Sequence, residues 1–164
     1  MPKVASRISL GHDAPLAQNR PHFAITLYGP DGRVKDERIV PNLVVNTGLN
    51  LLRNFFRANS PTTSDDLPGW IAIGTNSTPA TLSDVGMGTE LERESFESYT
   101  DGGTGNVVIS TTFAAGVGTG AITECGIFNA SSSGIMFDRS VFSVVTKEAG
   151  DTLKIAYSVT FTNA

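Results

Sequence analysis

The chain has 164 residues, the size of one domain with one sizeable core rather than two. Hydrophobic residues make up 40 %, enough to offset the entropy of ordering the chain, whereas charged residues are only 17 %, below the roughly 25 % usual in soluble domains, which suits strands and tight turns better than surface helices. A net charge of -4 excludes a surface built to neutralise nucleic-acid phosphates, and the single cysteine, Cys125, excludes an intrachain disulfide.

Residues 1–21 place Lys3, Arg7 and Arg20 among Ser, Gly, Pro, Gln and Asn, with no sustained hydrophobic period. This predicts an N-terminal arm that orders only against a neighbouring subunit, ahead of a single domain over residues 22–164. The arm lacks the continuous apolar stretch of a signal peptide, and no run approaches the roughly 18 to 20 residues of a membrane span. The expected protein is therefore made in a cytoplasm, with no membrane and no nucleic acid among its partners.

From His22 the pattern has period two, with Phe23, Ile25 and Leu27 on one face and Ala24, Thr26 and Tyr28 on the other, which predicts a strand. Gly29-Pro30-Asp31-Gly32 turns the chain into a second strand over residues 33–40, punctuated by Pro41, and Leu43, Val44 and Val45 continue extended. Residues 47–58 form the one helix candidate, because Leu49, Leu52, Phe55 and Phe56 recur at three- and four-residue spacing behind Asn46 or Thr47 as N-cap.

Residues 59–69 read as a loop, 70–74 as a buried strand, and 75–84 as a polar loop. The stretch 90–99 is ambiguous between a helical turn and a strand. Alternation returns in 106–113, with Val107, Ile109 and Phe113 on one face, and in 121–129, the two separated by Gly116, Gly118 and Gly120. After a Ser-rich turn at 130–134, strands are predicted over 135–139, 140–146 and 152–162, the last with Leu153, Ile155, Tyr157, Val159 and Phe161 all on one side. Alternating strands of this number and spacing predict an all-β antiparallel sandwich, jelly-roll-like, with one short helix.

The residues offer no catalytic set, and the protein is read as no enzyme. His12 and His22 lie near no Ser or Cys in a recognisable motif, no G-x-S-x-G elbow exists, and no Cys/His spacing suits zinc. Cys125 reads as a small buried hydrophobe. The glycines at 116, 118 and 120 read as a turn, since no Lys-Ser/Thr follows them. Glu90, Glu92, Glu94 and Glu97 around Arg93 read as a solvated ion-pair set of little energetic value, and that patch and Asp65-Asp66 are the weak cation candidates. Asn76-Ser77-Thr78 and Asn129-Ala130-Ser131 fit the glycosylation sequon but read as turns. No cofactor and no metal is expected.

Five segments in order carry a resemblance: Pro41-Asn-Leu-Val-Val-Asn-Thr-Gly-Leu-Asn-Leu-Leu52, Trp70-Ile-Ala-Ile-Gly-Thr75, Thr89-Glu-Leu-Glu-Arg93, Ile122-Thr-Glu-Cys-Gly-Ile-Phe-Asn129 and Met136-Phe-Asp-Arg-Ser-Val-Phe142. The series resembles a family of small tailed-bacteriophage structural proteins whose pattern runs N-L-V-x-N-x-G-L, A-x-G-T, E-L-x-R and I-T-E-x-G-[IL]-F-N. The resemblance covers residues 39–162 and implies a virion component, either a capsid decoration (cement) protein or a tail-fibre-associated one. Gly48, Gly74 and Gly126 of the series stand where a chain turns, bulges or meets another backbone closely.

The leading expectation is a decoration protein that binds the outer surface of the phage head. The major capsid protein is its partner, Lys3, Arg7 and Arg20 are the capsid-binding residues of the arm, and the chain self-associates as a dimer or trimer. The alternative is a tail-fibre or baseplate adaptor, disfavoured because the chain shows neither internal repeats nor heptads. A carbohydrate-binding module using Trp70 and Tyr99 is a third class; a lone Trp in an apolar strand is more often core.

Overall fold

In the computed structural model, residues 21–57 and 67–160 are described. Strand β1 (His22–Tyr28) and β2 (Val34–Pro41) form the expected hairpin, closed by Gly29 N–H donating to the Arg33 carbonyl at 2.8 Å and turned by Gly32 at φ +75°. β3 (Leu43–Val44) leads into α1 (Asn46–Arg57), followed by β4 (Trp70–Gly74), β5 (Glu90–Ser95), β6 (Ser98–Asp101), β7 (Asn106–Phe113), β8 (Gly120–Phe128), β9 (Met136–Lys147) and β10 (Thr152–Thr160).

The strands make two five-stranded antiparallel sheets, ordered β2-β1-β10-β7-β6 and β3-β9-β8-β4-β5. The chain is an all-β sandwich. Its pairings are nested: β1 pairs with β10, β3 with β9, and β4 with β8, the first half of the chain rolling up against the second in jelly-roll manner.

Period-two patterning decides what lies between the sheets. Phe23, Ile25 and Leu27 of β1 and Leu153, Ile155 and Tyr157 of β10 are buried, and they meet Ile71, Ile73, Ile122, Cys125 and Ile127 of the second sheet. At roughly 1.5 to 3 kcal/mol for each large buried apolar side chain, β10 is indispensable. Val159 packs half-buried against the same core, and Phe161 lies outside the described residues.

Two expectations are corrected and one ambiguity is resolved. The helix runs over Asn46–Arg57, and Leu49 is 50 % exposed while Leu51 is buried. The cause is Gly48: a Cβ there would overlap the Phe137 carbonyl of β9, so Gly48, Leu51 and Leu52 share the face that meets the sheet. Where two strands are expected, over 135–139 and 140–146, the chain forms one, β9 (Met136–Lys147), with the polar run Asp138-Arg139-Ser140 buried within it. The ambiguous 90–99 stretch is two strands in different sheets. The chain crosses between them at Phe96 and Glu97, whose N–H groups donate to the Gly69 and Ser110 carbonyls, both at 2.9 Å.

Candidate functional site

Lys3, Arg7 and Arg20, expected to bind the capsid, lie outside the described residues, as does the Asp65-Asp66 pair. Four assemblies of described chemistry-bearing side chains stand out. The largest lies on the outer face of the second sheet, under the 75–89 connection. Glu124 of β8 is fully buried there, placed outward by a register shift between Ile122 and Glu124. Its carboxylate accepts the backbone N–H groups of Thr89 at 2.8 Å, Gly88 at 3.0 Å and Asn76 at 3.2 Å. It also accepts Arg139 Nε at 2.9 Å and Nη2 at 2.7 Å.

Arg139 extends the assembly to Asp84, whose Oδ2 lies 2.8 Å from Nη1, and to the Thr78 carbonyl. Burial pushes the Asp84 carboxyl up, but hydrogen bonds from Thr81 and from Arg139 outweigh it and hold the group below its ordinary value. Gly74 and Gly126 give this layer its room, because a Cβ at either would strike the Thr89 or the Asp138 carbonyl. With five donors on one carboxylate, the cost of burying the charge is met by hydrogen bonds, and the connection is held as a roof.

The second assembly lies between the sheets. Asp138 of β9 is fully buried and points inward, where Asn42 Nδ2 and the Tyr157 hydroxyl donate to it. Its Oδ1 has no hydrogen-bond partner among the described residues. Burial raises its carboxyl to about 7 against the lowering effect of those two hydrogen bonds, while burial and then the Asp138 charge raise the Tyr157 hydroxyl.

The third assembly ties the turn after β9 to two neighbours. Lys147 Nζ, 1 % exposed as a residue, donates to the Ala114 and Asp151 carbonyls at 2.9 and 2.7 Å, and Lys35 Nζ of β2 donates to Asp151 Oδ2 at 2.6 Å. The fourth is Arg93. Its side chain is 5 % exposed, stacks 3.6 Å over the Phe128 ring, pairs with Glu90 at 2.6 Å and donates to the Ala130 and Ser133 carbonyls. The reading of this patch as a solvated ion-pair set is therefore corrected: the aromatic ring beneath Arg93 and the 129–134 turn beside it remove the guanidinium from water.

No family model, curated protein or solved structure matches the chain. Among the described residues no group of three or more His, Cys, Asp or Glu is placed to hold a metal ion, and no helix is long and apolar enough to cross a membrane. Cys125 is buried in the core as expected, and burial, with the Asp138 and Glu124 charges, raises its thiol. Gly116 and Gly118 take positive φ in the turn before β8, and Gly120 does so at its first residue. Asn76 accepts the Thr78 N–H and Asn129 the Ile135 N–H, so both sequons are turns. Trp70 packs half-buried with Val45, Phe128 and Met136, whereas Tyr99 is 66 % exposed beside Phe96.

Asn42, Glu124, Asp138 and Arg139 are the site residues that sequence reasoning passed over as chemistry. All four stand inside the five quoted segments. Their signal is a charged or amide side chain within, or for Asn42 directly beside, an otherwise apolar or tightly patterned strand. The four assemblies engage carboxylates, guanidinium groups and two ammonium groups with one another and with backbone. What this arrangement does is fix connections to sheets.

Proposed function

We propose that this protein is a non-enzymatic structural component of a tailed-bacteriophage virion, a decoration protein on the outer surface of the head that binds the major capsid protein and associates with itself as a dimer or trimer. The observation that carries the proposal is the fate of the five segments behind the resemblance. Spread from Pro41 to Phe142, they come together as one layer: Gly48 on β9, Gly74 and Gly126 under the roof, Arg93 over Phe128, and Glu124 with Arg139. A motif series that builds one continuous layer is the signature of a fold, and this fold spends its buried charges on rigidity. Rigidity is what a protein that braces a shell needs. The arm residues Lys3, Arg7 and Arg20 are the proposed contacts to the capsid, adding cationic hydrogen-bond donors to a chain whose net charge is -4.

Add-back tests this reading. Heads assembled without the protein are incubated with the full chain and sedimented. Stoichiometric co-sedimentation, weakened by the Arg7→Ala/Arg20→Ala chain and accompanied by a higher temperature of head disruption, is the expected result. Absence of binding to heads, with binding to isolated tails, transfers the protein to the tail-adaptor reading.

A further inference from the structure

The two sheets are covered unequally. The second sheet has the 75–89 roof over part of its outer face, while α1 packs on β9 with Leu51 and Leu52 joining the core between the sheets. No described helix or strand lies on the outer face of the first. Strand register makes that face a grid. One row runs Ile39, Ala24, Ala156, Ser110, Ser98 across β2, β1, β10, β7 and β6, and the next runs Glu37, Thr26, Lys154, Thr112.

Glu37 and Lys154 are the acid and the base of this grid. Both are exposed, and neither has an ion pair among the described residues. They flank Thr26 symmetrically, one strand to either side. Two strand spacings, about 9.6 Å, separate their backbones. The same symmetry governs size: on either side of Ala24 stand Ile39, 36 % exposed, and Ala156.

From this we infer that the outer face of the β2-β1-β10 strands is a self-complementary surface that takes a second copy of this chain about a twofold axis along β1. Rotation about an axis in the contact plane carries β2 of one copy over β10 of the other. Glu37 then faces the partner's Lys154, Ile39 faces the partner's Ala156, and Ala24 meets the partner's Ala24. Acid meets base and large meets small twice over, which is the isologous arrangement of a twofold contact. Aligned sheet packing allows the two copies of β1 to run in nearly the same direction.

The area sets the strength. Three strands at about 4.8 Å and seven residues at about 3.3 Å give roughly 330 Å² of flat contact per copy, well under that of a permanent interface. The dimer is therefore reversible and concentration-dependent. This inference deepens the self-association part of the proposed function and rests on it; attachment to the head is tested separately by add-back.

Sedimentation of the full chain over a concentration series tests the surface. The unaltered chain is expected to show a monomer–dimer equilibrium, and Lys154→Glu, which sets two like-charge pairs across the axis, to weaken it by about tenfold or more. The reversed chain, Glu37→Lys with Lys154→Glu, is expected to recover the original equilibrium, which a misfolded variant would not do. A dimer or trimer indifferent to Lys154→Glu, or a reversed chain that stays weak, overturns this surface while leaving self-association in place. A monomer at every concentration overturns both.

Discussion

Asp138 makes stability depend on pH in a direction opposite to that of ordinary surface carboxylates. Its carboxyl is raised from 3.8 to about 7 by burial between the sheets, with hydrogen bonds from Asn42 and Tyr157 opposing the rise only in part. The folded chain therefore holds this proton more tightly than the unfolded chain does. The stability linked to it is fully present below pH 3.8 and declines as pH rises toward about 7, above which it is gone. A difference of that size, at 1.36 kcal/mol for each pH unit, amounts to about 4 kcal/mol. Asp84 and Asp151, whose carboxyls are lowered, act the other way and lose their contributions as pH falls below the ordinary carboxylate range. Asp138→Asn isolates the term, because the amide does not titrate. In urea unfolding from pH 4 to 8, the stability of the Asn variant minus that of the unaltered chain is expected to rise by about 4 kcal/mol, whatever its offset at pH 4. A difference that stays flat across this range refutes the buried, proton-retaining carboxyl.

Other substitutions probe the remaining assemblies. Arg139→Ala leaves Glu124 buried without its cation and is expected to cost about 3 to 5 kcal/mol in urea unfolding, with faster proteolysis in the 75–89 connection. Gly48→Ala pushes α1 off β9 and is expected to cost about 1 to 3 kcal/mol, read as a lower Tm. Cys125 is expected to resist a thiol-specific disulfide reagent in the native chain and to react on unfolding; rapid native labelling would contradict its place in the core.

The strands were legible wherever one face is dry and the other wet. β1 and β10 show this best, since Phe23, Ile25, Leu27, Leu153 and Ile155 are all buried at the positions their alternation assigns. Legibility failed where burial and polarity part company. Asp138, Arg139 and Ser140 look like the end of a strand because polar residues usually face water, yet hydrogen bonds from Asn42, to Glu124 and to the Pro41 carbonyl keep them inside. The helix face shifted for a different reason: spacing alone places Leu49 inward, but only a glycine fits against the Phe137 carbonyl, and Gly48 sets the rotation. Arg93 was misjudged because its partner ring, Phe128, arrives from another strand. Nothing in the local sequence announces a contact of that kind.

Imaging purified virions at subnanometre resolution tests the central proposal most directly. Copies of this sandwich on the outer surface of the head, repeated with the lattice of the major capsid protein, are the predicted result. Density for the chain on the tail alone, or none on the particle, would contradict it.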